Sequence, residues 1–426
     1  MKEIVCDVAV IGGGAAGMMA AGVAADKLSE RTGRDKATVV LIEKNRGLGE
    51  KLLITGGGRC NVTNANPDEK SLLSKFKDAR KYLHSAFARH SVEDSLKFFH
   101  SKGVRTKVEA EYRVFPVTDR AKTIWDALVG YLATQKVEVV SNSPVARILA
   151  TDGRIERITM LNGTHVRAQT YILATGGLSH PETGSTGDGF TWLSELGHTV
   201  RTEGAALVPI SLRDSWTKQL AGVALTDARV TVFQNGAKQA FQQGKMLFTH
   251  VGVSGPAILN LSSEIGELLK YGDVKLEIDF FPALSEEKVG NLMLDLVGRF
   301  PNKVIRNALP EIVPSAVAGV LLELVKIAPD TACHSLPRES RIALARLLKH
   351  MPATVKGLLG LTKAVVASGG VSLKEVDFRT MRSNKIANLY IVGDLLDVYR
   401  PSGGYSLQLC WTTAAIAGES AAAAIK

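Results

Sequence analysis

The sequence predicts an α/β protein in which a parallel-sheet domain is interrupted by a β-rich domain and a helical segment. Three observations carry this. A strand-like run enters a glycine cluster and then an Ala/Met-rich helix at 4–25, the texture changes to short β-rich runs near 203, and a buried strand followed by a small-residue helix returns at 388–424.

"IVCDVAVI" (4–11) is the first strand, the glycine turn and helix follow, and "ATVVLIEK" (37–44) is the second strand, which makes a β-α-β unit. A helical, basic region runs to about 107. "IWDALVGYLATQ" (124–135) reads as a helix, "VEVVSN" (137–142) as a strand and "TYILATGG" (170–177) as a buried strand ending in glycines. From 203, "ALVPISL", "ARVTVFQNG" and "VKLEIDFFP" are short strands between turn residues, and helical periodicity takes over at 285–350. β texture returns in "LTKAVVASGGV" (361–371), "NLYIVGD" (388–394) is one more buried strand, and 403–424 is the last helix. The expected organisation is a nucleotide-binding domain over 1–202, a β-barrel substrate domain over 203–284, a helical subdomain over 285–360, a return of the barrel over 361–380, and the end of the first domain over 381–426.

A chain of 426 residues holds two or three domains and can bury a large cofactor. Its 45% hydrophobic and 22% charged residues exclude the disordered and fibrous classes. Cys6, Cys60, Cys333 and Cys410 form no CxxC pair, so neither a disulfide framework nor a metal site is indicated, and a reducing cytoplasm fits best. The apolar run 8–25 raises a membrane helix, but its glycines and lack of long aliphatic side chains argue against one. Net charge is +10, concentrated at 75–107, where nine Lys/Arg face three Asp/Glu. That segment is either a solvated helical face or a docking surface for NADPH phosphate or RNA.

Gly12-x-Gly14-x-x-Gly17 follows a strand and opens a helix. The first glycine permits the turn, the second lets a pyrophosphate approach the backbone, and the third lets helix and strand pack closely. Glu43 ends the next strand, where a carboxylate accepts hydrogen bonds from a ribose hydroxyl pair. A purely structural glycine turn is the alternative. At the far end, Asp394 stands at a strand's C-terminal end, suited to ribityl hydroxyls, and the helix beginning near Gly403 and Gly404 can aim its positive end at a flavin's N1–C2=O edge. These elements favour FAD over a nicotinamide as resident cofactor; a helix-capping Asp394 is the bland reading. "ITGGGRCN" (54–61) is a phosphate cradle, a thiol site or a turn. His250, in a Gly/Ser/Pro loop, is a candidate proton donor or a structural histidine. Cys60 is a candidate proton donor or a small packing residue.

"GGGAAG", "GEKLLITGGGRCNVTN", "ATGG", "LFTHVGVSGPA" and "GDLLDV…GGYSLQLCW", in this order, resemble the BaiN/YhiN-like FAD-binding flavoproteins, also labelled aminoacetone-oxidase-like, nearly end to end. The resemblance implies a glutathione-reductase-type Rossmann FAD domain with an inserted β-barrel and a helical subdomain. It implies FAD contacts from Ala15 and Ala16 at the pyrophosphate turn, from Glu43 and Lys44 at the adenosine ribose, and from Glu50, Gly56 and Asn61 in the glycine-rich block. It further implies the backbone of Val145 near adenine, Thr175 and Gly176 in "ATGG", Asp394 at the ribityl chain and Leu407 by the isoalloxazine, with Arg113 and Phe115 on the substrate face. Many relatives carry Arg where Glu50 stands, which a backbone contact would survive and a side-chain contact would not. The implied activity is an NAD(P)H-dependent, FAD-dependent oxidoreductase acting on an activated C=C or C=O of a small molecule. Alternatives are dihydrouridine synthesis in large-subunit ribosomal RNA, amine oxidation with O₂, and a non-catalytic RNA-binding or assembly role. In the last segment's light, "ITGGGRCN" is foremost a flavin-facing backbone loop, since glycines there let backbone and cofactor approach closely.

Overall fold

Runs of β-branched and aliphatic residues with no polar alternation can be buried on both faces, as in a parallel sheet. β1 (Glu3–Ile11) and β2 (Val39–Ile42) in the computed structural model follow this rule, with Val8–Ile11 and all of β2 buried. The structure describes residues 2–32, 38–201, 205–360, 366–367 and 369–425. Residues 33–37, the expected domain edge at 202–203 and part of the stretch 361–371 lie outside the described residues.

The chain divides into two compact units, 1–204 with 366–426, and 205–365. In the first, the strands Leu389–Ile391, His165–Leu173, β1, β2 and Glu138–Val140 lie side by side, all parallel. β1 is the switch point: the chain leaves it toward β2 through α1 (Ala15–Thr32) and later fills its other side with His165–Leu173. Ligands of doubly wound sheets bind at the carboxyl ends of the strands beside such a point. The register brings those ends level, because Ile11 pairs with both Ile42 and Leu173, and Leu173 pairs with Ile391. Residues 12, 43, 174 and 392 therefore leave the sheet on one rim.

Two small-residue helices back this rim. α1 and the helix Tyr405–Ala423 approach so closely that a Cβ on Gly418 would stand 2.7 Å from the Ala20 carbonyl oxygen. Trp411, fully buried, donates its indole N–H to the Val62 carbonyl at 2.9 Å and ties the last helix to the segment after the glycine-rich block. The apolar run 8–25 thus divides into the end of β1, the glycine turn and part of α1, and no described helix is long and apolar enough to cross a membrane. A hairpin, Val145–Thr151 with Arg154–Met160, pairs onto His165–Leu173.

In the second unit six strands close into a barrel: Ile210–Leu212, Gly252–Ser254, Ala237–Thr249, Ala224–Gln234, Val274–Asp279 and Met351–Leu358. Val230, Val232, Met246, Phe248, Leu276, Ile278, Ala353 and Val355 belong to its core, at alternate positions of their strands. Between Asp279 and Met351 the chain forms the helices Glu286–Arg299, Ile305–Ala308, Ser315–Val325 and Arg338–Lys349. Two expected boundaries are corrected here. Residues 351–358 are a barrel strand, not the end of the helical segment, since Met351, Ala353 and Val355 alternate inward. Residues 370–380, expected in the barrel, pair within the first unit: Gly370–Val371 with Val200–Arg201, and Val376–Asp377 with Arg382–Ser383.

Candidate functional site

The turn after β1 is built by its glycines. Gly12 has φ +102, and a Cβ there would meet the Ala174 carbonyl oxygen at 2.6 Å; a Cβ on Gly17 would lie 1.7 Å from the Gly12 carbonyl oxygen. Gly14 differs, because a Cβ there meets nothing within 4 Å. Two of the three glycines are thus required by the protein's own packing, and the third faces open space at the head of α1, where Ala15 and Ala16 begin the helix and its N–H groups are free for an anion. Glu43 locks the turn to the end of β2: its carboxylate accepts from the Gly13 N–H at 2.7 Å and from the Asn45 N–H at 2.8 Å.

A cleft opens beside this turn, and Gly12, Glu43, Lys44, Val145 and Thr175 all line it. The structure brings these five expected residues together, and adds Ser143, Asp188 and Trp192, which sequence reasoning missed. Lys44 crosses one wall to pair with Asp188 at 2.9 Å. Thr175 Oγ1 is buried and has no hydrogen-bond partner. Gly176 follows with φ +75, packed against Ser185.

The glycine-rich block lies between α2 (Glu50–Ile54), which Glu50 opens, and Asn61. Gly56, Gly57, Gly58 and Cys60 all have left-handed φ, so few side chains are tolerated there. Arg59 pins the loop from outside: its guanidinium pairs with Glu109 and Asp119 and lies 4.1 Å over the Phe115 ring, which is buried beside Gly56. Arg113 stays partly exposed, donating to the Ala110 carbonyl at 3.0 Å. Asn61 Oδ1 is buried without a partner, next to Gly404. Gly404 is the N-cap of the last helix, with φ +98 and no side-chain cap, so that helix also presents free N–H groups. Gln408, fully buried, fixes its first turn by accepting from Thr63 Oγ1 at 2.6 Å and donating to Ser95 Oγ at 2.9 Å. Leu407 is buried one residue before it.

Asp394 closes the rim after Leu389–Ile391. It pairs with Arg400 at 2.8 Å and Lys51 at 3.2 Å, and Lys51 also donates to Ser179 Oγ at 2.6 Å. Burial alone would raise this carboxyl; the Arg400 and Lys51 charges override it and hold the pKa at about 2. The capping reading of Asp394 does not hold, because the last helix takes Gly404 as its cap. Arg400 and Lys51 were not foreseen: 343 residues separate Lys51 from Asp394, and nothing in the sequence links them.

The candidate proton donors stand apart. Cys60 is wholly buried, and burial pushes its thiol up to about 12, so it is neutral at ordinary pH. His250 is exposed in the turn after Ala237–Thr249, in the second unit. All four cysteines are buried and free.

An FAD fits the residues present in the first unit. Two glycine-linked helix starts offer free N–H groups, Gly14 leaves open space before one of them, and two buried polar oxygens, on Thr175 and Asn61, lack partners that a bound cofactor's hydroxyl or N–H groups supply.

Known proteins are similar to this chain. The family model described as "HI0933-like protein Rossmann domain" matches residues 6–420. The 3-dehydro-bile acid delta(4,6)-reductase of Clostridium scindens is 31% identical over 417 residues, covering 97% of this chain and 98% of that protein. The ribosomal RNA dihydrouridine synthase of Escherichia coli is 30% identical over 414 residues, covering 96% of each. Among solved structures, a 3-ketosteroid-delta4-(5alpha)-dehydrogenase from Rhodococcus jostii has the same fold, with a TM-score of 0.56 at 15% identity, over 99% of this chain and 98% of that one.

Proposed function

The chain belongs to the HI0933-like Rossmann-domain family of FAD-binding oxidoreductases, and from that premise we propose that it is an NAD(P)H-dependent reductase of a carbon–carbon double bond activated by a carbonyl. The observation that carries this reading is that the two relatives matched over nearly their whole length both have names that describe saturation of a double bond. We assign the interrupted architecture to the glutathione-reductase type, with the barrel and helical segment serving the substrate. Bound FAD supplies hydride transfer, from a transiently bound NAD(P)H and on to the substrate.

The chain's own residues hold and orient. Gly14, Ala15 and Ala16 offer backbone to the pyrophosphate, and Gly12 and Gly17 keep that turn compact. Glu43, its carboxylate held by the Gly13 and Asn45 N–H groups, accepts from the adenosine ribose hydroxyls with its remaining lone pairs, with Lys44 beside it and the backbone of Val145 near adenine. Thr175 and Gly176 follow the third strand of the rim. Asp394 takes the ribityl hydroxyls, its charge preserved by Arg400 and Lys51. Glu50, Gly56, Asn61 and Leu407 surround the ring system, and the uncapped last helix stabilises negative charge there. The proton that accompanies hydride comes from Cys60, a neutral thiol in the loop, or from His250.

A second reading makes the reduced double bond that of a uracil ring in RNA. Lys75, Lys77, Arg80, Lys81, Lys102 and Arg105, six of the nine cations at 75–107, make no ion pair among the described residues, whereas Arg89, Lys97 and Lys107 are paired. Anaerobic reduction of the flavin with NADPH, then parallel reoxidation by an enone, uridine-containing RNA, amines and O₂, tests both. Reoxidation by enone or RNA, with a product two hydrogens heavier, is expected. Peroxide release with amines as the only turnover refutes the reductase in favour of an oxidase, and RNA binding by a flavin that NADPH does not reduce points to an assembly role.

A further inference from the structure

The basic segment 75–107 contributes one wall of an open groove in the first unit, whose other wall comes from residues 372–374, Asp397 and Tyr399 with Arg201. Four cations line it, Lys77, Lys81, Arg201 and Lys374, against two carboxylates, Asp78 and Asp397. Asp397 stands 3.7 Å from Arg201, which leaves Lys77, Lys81 and Lys374 with no ion pair among the described residues. Two tyrosines alternate with these charges. The Lys77 ammonium lies 3.9 Å over the Tyr399 ring, and that of Lys81 lies 5.3 Å from the Tyr82 ring.

We propose that this groove is a docking site for single-stranded RNA, with Lys77, Lys81 and Lys374 on phosphates and Tyr399 as a stacking platform for a base. A groove of unpaired cations interleaved with aromatic rings is what a flexible polyanion with flat bases requires. The contact between Lys77 and Tyr399 gives the exchange a physical course. Without a polyanion the ammonium rests on the ring face; a phosphate oxygen is the stronger partner for it, so the ammonium passes from ring to phosphate when RNA enters. Lys75 and Arg80, exposed and without an ion pair among the described residues, add positive charge in the same segment outside the groove lining, which suits a polyanion. The groove also reaches Tyr399 only five residues after Asp394, so a strand held here lies along the segment that carries the proposed ribityl contact. The inference rests on the reading that RNA is the substrate.

Fluorescence anisotropy of the FAD-loaded protein with labelled single-stranded oligouridylate, over a salt series, tests it. Lys77→Glu/Lys81→Glu, and separately Lys374→Glu on the opposite wall, should weaken binding about tenfold or more, and the double variant should reduce the slope of log affinity against log salt by about 1.4, at about 0.7 per phosphate contact on a single strand. FAD content and the KM for NADPH should not change. Unaltered RNA affinity in both variants, no RNA binding by the unmodified protein, or a loss confined to the NADPH KM each overturns the proposal. Uridine reduction in RNA that proceeds equally in the unmodified and double-variant proteins removes the groove and keeps the RNA-reductase reading. Groove-dependent binding without any uridine reduction removes that reading and keeps the groove.

Discussion

Gly14 and Gly17 allow the protein's need for a glycine to be separated from the cofactor's. Gly17→Ala would place a methyl 1.7 Å from the Gly12 carbonyl oxygen and 2.9 Å from its carbon, both backbone atoms that cannot rotate away. Overpacking of this kind costs about 3 kcal/mol or more, a large share of a domain's stability. Gly14→Ala meets nothing within 4 Å and has no left-handed φ to strain. The unfolded chain's lower entropy, worth about 0.4–1 kcal/mol, is opposed by the poorer N-cap that Ala makes at the head of α1, so the apoprotein should stay within about 1 kcal/mol of the unmodified one, a change of no more than roughly 3 °C in Tm for a unit of this size. If the open space before α1 is where the pyrophosphate approaches, the same methyl displaces at least one charge-assisted hydrogen bond of about 2 kcal/mol, so FAD affinity falls roughly thirtyfold. Thermal melts of the two apoproteins and flavin-fluorescence titrations measure both quantities. A Gly14→Ala protein that binds FAD as well as the unmodified one removes the pyrophosphate assignment, and one that melts several degrees lower contradicts the open geometry at that position.

Other expectations follow from the rim and the buried thiols. Asp394, held at about 2 against an ordinary value near 3.8, stabilises the fold at all pH above its unfolded pKa, and this contribution disappears as pH falls from about 4 toward 2. Asp394→Asn leaves Arg400, whose side chain is 1% exposed, without its counter-charge, so the apoprotein should lose about 3 kcal/mol at neutral pH and show a flatter acid limb in Tm against pH; an unchanged limb would deny the ion pair its role. Glu43→Gln keeps one acceptor for the Gly13 and Asn45 N–H groups but not two, so a small fall in Tm with a large loss of FAD on dialysis is expected, and a variant that stays fully yellow contradicts the ribose assignment. Cys6, Cys60 and Cys410 have thiols at about 12 and are buried, so iodoacetamide at pH 8 should label none of them until denaturant is added; mass-spectrometric detection of native Cys60 alkylation would show the loop to be open.

What could be read in advance divides along physical lines. β1, α1 and β2 were legible because a β-branched, largely apolar strand, a glycine turn and a small-residue helix each carry a local signal, and Gly12, Glu43, Lys44, Val145 and Thr175 do meet at one cleft. The hairpin at 145–160 was equally legible and was passed over: Asp152 and Gly153, both with left-handed φ, form the two-residue turn that such strands favour. The strand Met351–Leu358 was hidden because its period-two alternation follows directly on the amphipathic helix Arg338–Lys349. Lys51, Ser179 and Arg400 were not legible at all. Their meaning depends on meeting Asp394, and that meeting is decided by strand order, which no local pattern encodes. The excess charge at 75–107 was visible as a sum, but only the fold shows which of its members are spent on partners and which are left over.

The first unit is assembled from residues 1–204 and 366–426, and this dictates an order of events during synthesis. β1, β2 and His165–Leu173 leave the ribosome early, yet the neighbour of the last of them, Leu389–Ile391, and the helix that backs the rim arrive only after residues 205–365 have been made, roughly ten to forty seconds later at about 5–20 residues per second. During that interval residues 171–173 lack their parallel neighbour, the start of the same strand being already paired by the 145–160 hairpin, while the inserted unit acquires all six of its barrel strands. A chain that stops short of Asp394 therefore has every barrel strand but lacks the last strand and helix of the first unit; if Asp394 holds the ribityl chain as proposed, such a chain would not retain flavin.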